Sequence, residues 1–449
     1  MSTRYYRLLS LLILVTLVGC SGLPFNLGNS FQINKTLPPE GTQIPTISNI
    51  PEGMQTLIPT GTEGTAAATQ TQGEQFIRIW LPPEFSLEEN GIASQLLKAR
   101  MDKFEAEHPG IRLEVRLKAL DEPGGMLDSL IAASAAAPAA LPDLVLLPRP
   151  LLESAVLKGL LYAYDGMTGI MDDQSWFNYA RQLARLNAST YGIPFAGDVM
   201  VLVQSLSLPG NAPLSLQATL TRGDVLLYPA ADPQALFTLC MYLAERGGLQ
   251  DEQGRPALEN APLTDILKYE QQANLSGVMP YTLTEYSDDS QVWEALLGNQ
   301  YPMAVTWAST YLTGHQAEQA NLTIAPLPTP DGTPFTLATG WSWALAGQDP
   351  ARRILSVKLA EYLVDKDFLA EWTQAAGYLP PRVDALQGWQ ATQSRQVFER
   401  ISYSAWLMPS ADLIATIGPA LEQAVMNVLS AQADPQRAAQ AAIDQISQP

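Results

Sequence analysis

Cysteine and histidine are nearly absent from this chain of 449 residues: Cys20 and Cys240 are the only cysteines, His108 and His315 the only histidines. Two isolated histidines without a Cys/His cluster leave no spacing that would hold a metal, and no cofactor is expected. The strings G-x-x-x-x-G-K, H-E-x-x-H and G-x-S-x-G are missing too. Phosphate-cradling loops, zinc peptidase sites and nucleophile elbows are therefore not indicated. Positive charge is scarce. With 26 Lys and Arg against 45 Asp and Glu, the formal net charge is −19. Such a surface repels phosphate backbones, which excludes nucleic acid as a partner.

What is present begins with a leader. Arg4 and Arg7 precede an apolar run over 8–18 that closes on Leu17-Val18-Gly19-Cys20. A charged head, a short apolar middle and small residues at the cut form an export signal. A helix of roughly eleven residues rises only ~16 Å, against a hydrocarbon core of ~30 Å, so removal is expected rather than spanning. Cysteine at the cut resembles the bacterial lipoprotein signal, the lipobox. That resemblance implies cleavage of 1–19, acylation of Cys20, and attachment to the outer face of a bacterial membrane through lipid only. Cys240 then has no disulfide partner, and in the apolar run 236–241 it reads as buried filler. Residues 20–75 are rich in Thr, Pro, Gly and Gln and read as a disordered tether reaching ~40 Å.

Folded structure is expected from Phe76. The run 76–81 is strand-like and stops at Pro82-Pro83; Ile92, Leu96, Leu97, Met101 and Phe104 follow at helical spacing. Ile111, Leu113, Val115 and Leu117 alternate with polar residues, a strand with one wet face. Continued alternation of strand and helix through the apolar run 144–147 indicates an α/β fold with a mostly parallel sheet. Further strands are expected at 191–194, 199–203, 225–228, 303–306, 322–324 and 341–344, and a largely helical chain after Asp349-Pro350.

Six strings carry a resemblance. Phe104-Glu105-Ala106-Glu107-His108-Pro109-Gly110-Ile111, Leu141-Pro142-Asp143-Leu144-Val145 and Gly159-Leu160-Leu161-Tyr162 come first. Tyr191-Gly192-Ile193-Pro194-Phe195, then Leu327-Pro328-Thr329-Pro330-Asp331-Gly332 with Gly340-Trp341-Ser342-Trp343, and Gly377-Tyr378-Leu379-Pro380-Pro381-Arg382 follow. In this order they resemble the bacterial extracellular solute-binding proteins of family 1, sugar-binding lipoproteins of ATP-binding-cassette importers with a maltose-binding-protein-like fold. The resemblance implies a two-lobed periplasmic-binding-protein fold (type II-like), with discontinuous lobes joined by hinge strands. On that reading one lobe comprises 76–196 with 302–345 returning to it, and the other 197–301 with 346–449. It also implies a monomeric, non-enzymatic receptor that captures a mono- or oligosaccharide between the lobes and delivers it to permease subunits.

Sugars offer flat C–H faces and a rim of hydroxyls, so their sites need aromatic plates and polar side chains. Trp80, Trp307, Trp341 and Tyr378 fall at expected strand ends or turns, where an open sheet presents its crevice. Gly340 adjoins Trp341. By the family pattern, Asp198, Arg149 and Arg382 are the expected polar contacts. Members of that family often carry a Trp shortly after the string matched by Met408-Pro409; here the nearest, Trp406, precedes it. Two other classes fit the same residues: a ligand-sensing lipoprotein docking to a signalling partner, and a surface glycosidase. The latter needs paired carboxylates, for which Asp198, Glu285, Asp288 and Asp289 are available.

Overall fold

The computed structural model describes residues 75–447 apart from 89, 90, 122, 299, 319 and 320. The leader, Cys20 and the tether up to residue 74 lie outside the described residues. The described residues fall within one compact unit.

Three parallel strands open the fold. β1 (Gln75–Leu81) is followed by helix α1 (Ile92–Glu107), β2 (Ile111–Leu117), α2 (Met126–Ala136), β3 (Leu144–Pro148) and α3 (Arg149–Leu157). β1 pairs with both β2 and β3. Alternation along β1 sends Ile77, Ile79 and Leu81 into the main core and Trp80 into a second one. α1 gives way to β2 at Gly110, whose φ of +94° only glycine adopts without strain. A short helix α4 (Asn178–Leu183) and a two-residue hairpin, β4 (Arg185–Leu186) with β5 (Ser189–Thr190), lead into the longest strand, β6 (Gly192–Ser205).

β6 organises the rest. Its first half pairs antiparallel with β10 (Thr336–Leu345), which itself lies antiparallel to β3. Its second half, from Met200, pairs with β8 (Met303–Trp307) and β9 (Leu322–Ala325). β7 (Leu226–Leu227) completes that side beside β8, and β11 (Ala405–Leu407) runs along the start of β10. One continuous strand thus belongs to two halves of a nine-stranded sheet.

The remaining helices divide between those halves. α5 (Leu216–Arg222), α6 (Leu236–Ala244), α7 (Asn260–Ser276), α8 (Asp289–Leu297) and α9 (Ala308–Glu318) precede β9 and β10. α10 (Pro350–Leu363) and α11 (Lys366–Ala376) pack against α1, and α10 also covers β1. After α12 (Val383–Gln387) and α13 (Gln393–Ser404), α14 (Ala411–Leu429) and α15 (Pro435–Ser447) pack on α7. Side-chain caps fix several starts: Ser215 for α5, Asp288 for α8, Asp349 for α10 and Asp365 for α11.

These pairings group the segments differently from the expected lobe boundaries. Within 302–345 only β10 returns to the first half; β8 and β9 hydrogen-bond to the second half of β6. Within 346–449, α10 and α11 join the first half, because their apolar faces cover β1 and α1. The sequence breaks at Gly197, yet the backbone passes through it as unbroken strand.

Candidate functional site

The register of β6 sets a row of side chains across both halves of the sheet. Ala196 lies opposite Trp341, Asp198 opposite Thr339, and Met200 opposite Trp307. Partners directly opposite in an antiparallel pair share a face, as do residues two apart along a strand. Trp341, Thr339, Asp198, Met200 and Trp307 therefore lie on one face, passing from one half to the other. Three of the expected site residues, Asp198, Trp307 and Trp341, are brought together by this register.

Asp198 is the buried polar group of the row. It accepts hydrogen bonds from the Ser309 amide (3.0 Å) and the Ser309 hydroxyl (2.5 Å), at the start of α9, and from the Val199 amide. Burial nevertheless outweighs these donors and pushes its carboxyl up to about 7, with repulsion from Asp289 adding to the shift. At the other end of the row, Trp341 meets Phe85 edge-on at 4.8 Å, and Phe85 stacks on Tyr378 at 5.8 Å. The Trp341 indole hydrogen-bonds the Tyr378 hydroxyl, which burial and then the Asp198 charge hold well above its ordinary range. Tyr378 thus joins the row through Phe85 and Trp341.

Two adjoining cavities lie along this face. The first, about 270 Å³, is lined by Arg149, Pro150 and Glu153 at the start of α3, by Pro233 and Gln234, and by Met408, Pro409 and the first turns of α14. It therefore stands between the two halves. Gly418 lets α14 approach the opposing loop, since a Cβ there would lie 2.5 Å from the Pro233 carbonyl oxygen. The second cavity, about 200 Å³, shares Gln234 and is lined by Met200, Asp232, Asp288, Asp289, Thr306 and Trp307, among others. Asp289 accepts from the hydroxyls of Thr306 and Thr310, and Asp232 from the Gln234 and Leu236 amides. Burial raises both carboxyls, whereas Asp288, an exposed helix cap, is lowered by its bonds to Ser290 and Gln291.

Four expected site residues serve the scaffold instead. Trp80 is buried in the second core with Met126, Leu130 and Val145, because residue 80 faces away from the main core. Gly340 turns its Cα hydrogen face to α4, where a Cβ would lie 2.9 Å from the Leu183 side chain. Arg149 lines the first cavity, yet its guanidinium is committed to Glu153 (2.7 Å) and to the carbonyls of Gln182, Leu183 and Arg185. Those carbonyls lie at or just beyond the end of α4, where a cation is favoured. Arg382 pairs with Asp173 (2.9 Å) and Asp384 (2.8 Å) and lies over Trp176. Its Nε and Nη2 are thus committed to carboxylates of the scaffold.

Sequence reasoning missed Glu153, Asp232, Gln234 and Thr339. Glu153 alone carried a signal: it follows Arg149 by four residues, the spacing that brings two side chains together on a helix. The others are lining residues only because distant segments meet.

The family model described as bacterial extracellular solute-binding protein matches residues 99–398. The chain belongs to that family. No curated protein matches the chain in sequence. Among solved structures, the cyclic α-maltosyl-1,6-maltose binding protein from Arthrobacter globiformis superposes with a TM-score of 0.69 at 17% identity, covering 83% of this chain and 98% of that one. The sugar-binding protein MalE from Xanthomonas citri gives 0.68 at 19% identity, with coverage of 83% and 97%. The GacH receptor of Streptomyces glaucescens, solved unliganded and with acarbose, gives 0.62 at 18% identity, with coverage of 83% and 97%. At these identities the likeness establishes the fold: this solute-binding protein has the two-lobed α/β architecture with a strand shared between the lobes. The family is extracellular, and among the described residues no helix is long and apolar enough to cross a membrane.

Proposed function

We propose that this solute-binding protein is the receptor of an ATP-binding-cassette importer and takes a mono- or oligosaccharide between its two halves. The observation that carries the reading is the row Trp341–Thr339–Asp198–Met200–Trp307, which crosses from one half to the other along β6. Aromatic faces at both ends suit the C–H faces of sugar rings, and Thr339 and Gln234 offer hydrogen bonds to hydroxyls. The neighbours named for cyclic α-maltosyl-1,6-maltose and for sugar binding support the same class. No bond is broken on this reading; hinge closure about β6 traps the solute and presents the closed form to the permease.

On this reading the lobes are 75–199 with 336–376 on one side and 200–325 with 411–447 on the other, a division that strand pairing and helix packing support. The receptor is a monomer held at the outer face of the membrane by acylated Cys20 and the tether. Multiple acyl chains keep such an anchor stable, where one alone is marginal. Calorimetric titration of the purified protein with a panel of mono- and oligosaccharides tests the reading. Saturable binding of one carbohydrate class without release of reducing sugar supports it. Release of product, or saturable binding only to a non-carbohydrate such as a peptide, overturns it. Incorporation of labelled palmitate, abolished by Cys20→Ala, tests the anchor.

A further inference from the structure

We propose that the solute carries a protonated amine, held in the second cavity between the Trp307 ring and the carboxylates of Asp232 and Asp289. This deepens the receptor reading and rests on it. The cavity opens on the row that crosses the two halves, so it is part of the same cleft. Its lining contains three carboxylates and one indole, and no Arg, Lys or His.

The hydrogen bonds already made leave this charge without a counter-ion. Asp232 accepts from two backbone amides, and Asp289 from two threonine hydroxyls and the Trp307 amide; neither has an ion pair among the described residues. A carboxylate has about four acceptor positions, so each retains capacity for a further donor. Glu422 lies close enough to Asp232 to feel its charge and adds to the negative field. The only basic side chain in the adjoining cavity is Arg149, which is spent on Glu153 and three carbonyls. A cationic group entering from solvent thus meets an uncompensated negative field inside a partly water-excluded space, where such attraction is strongest. An ammonium over the Trp307 face gains a cation–π contact as well.

The first cavity defines the rest of the solute. Pro150, Pro233, Met408, Pro409, Ile414 and Pro419 give it largely apolar walls, with Thr339 and Gln234 as its uncommitted hydrogen-bonding side chains. Those two side chains meet only the hydroxyls on one edge of a sugar, so the ring's apolar face is the part that suits the rest of this wall. A solute with one charged amine and few hydroxyls on the buried side fits both cavities.

The test is calorimetric titration of the purified protein at pH 6.5 with glucosamine, glucose and spermidine. The expected result is glucosamine binding tighter than glucose by about tenfold or more, equivalent to ~1.4 kcal/mol. That ratio should fall toward one in Asp232→Asn and Asp289→Asn, and as salt is raised. Glucose binding as tightly as glucosamine overturns the amine assignment and leaves the carbohydrate reading standing. Spermidine binding alone, weakened by the same two variants, supports the amine assignment and removes the carbohydrate reading. A preference for amines that survives both variants, or no binding of any of the three, overturns the proposal.

Discussion

Glu153 accepts a hydrogen bond from the Ala411 amide at 3.1 Å, so one carboxylate ties α3 to the first turn of α14. Its other oxygen receives the Arg149 guanidinium at 2.7 Å, and both side chains are buried. α3 belongs to the first half of the sheet, and α14 packs on α6 and α7 of the second. The bond therefore spans the cleft and puts a negative charge at a helix N-terminus, where it is favoured.

Removal of that carboxylate leaves Arg149 buried without its counter-ion. Glu153→Ala is expected to lower stability by about 3–5 kcal/mol, as for other broken buried pairs. Glu153→Gln, which keeps an acceptor for Ala411, is expected to lose less. Urea denaturation of the two variants checks this; a loss under ~1 kcal/mol in Glu153→Ala would contradict the clamp.

Stability should fall as pH rises from mild acid to neutrality. Asp198 is raised from 3.8 to about 7 and Glu270 from 4.5 to about 7, both mainly by burial. The folded protein then holds protons that the unfolded chain releases. Each contribution is complete below the unfolded value and is lost as pH climbs through the folded one. Between about pH 4 and pH 7, melting temperature should decline for the native protein and decline less steeply for Asp198→Asn. Equal slopes for the two proteins would rule out the assignment to Asp198.

Arg382 should matter for folding and not for ligand. Its guanidinium joins Asp173 to Asp384 over the Trp176 ring. Arg382→Ala is expected to destabilise by ~2–4 kcal/mol, less than a fully buried pair because Asp173 is about half exposed. Solute affinity, measured below the melting temperature, should stay within about twofold of the native value, well under the ~1.4 kcal/mol of a tenfold change. A tenfold loss of affinity with unchanged stability would return Arg382 to the binding surface.

Trp80 and Trp307 should separate along the same axis, in opposite senses. Trp80 is 3% exposed within a core, so Trp80→Ala should cost ~3–5 kcal/mol of stability and leave affinity alone. Trp307 is half-buried at the cavity wall. Trp307→Ala should weaken solute binding by about tenfold or more, with a smaller stability loss. Titration and thermal unfolding of both variants, compared side by side, decide between the two roles.

Much of the fold was legible along the chain. Alternation at 111–117, the helical stripe from Ile92 to Phe104 and the stop at Pro109-Gly110 each depend on near neighbours, and each became the element expected. The site was less legible. Trp80, Trp307 and Trp341 all stand at or beside strand ends in the sequence, and nothing local says which face of the sheet each one meets. Parity along β1 turned Trp80 into the second core, whereas parity along β6 set Trp341 and Trp307 in one row. Arg149 and Arg382 each have one partner close in sequence, Glu153 and Asp384, but their other partners, the end of α4 and Asp173, are distant and only the fold brings them in.

The sequence by itself determined the class of element at most positions, the excess of negative charge and the absence of any metal-binding pattern. These follow from composition and from periodicities of two and 3.6 residues, which are local properties. Tertiary structure alone decided which half of the sheet claims β8, β9, α10 and α11, because that choice rests on pairing and burial between remote segments. It also decided which side chains face the cleft: a strand's neighbours fix its faces, and the neighbours of β6 come from about a hundred residues or more further along the chain.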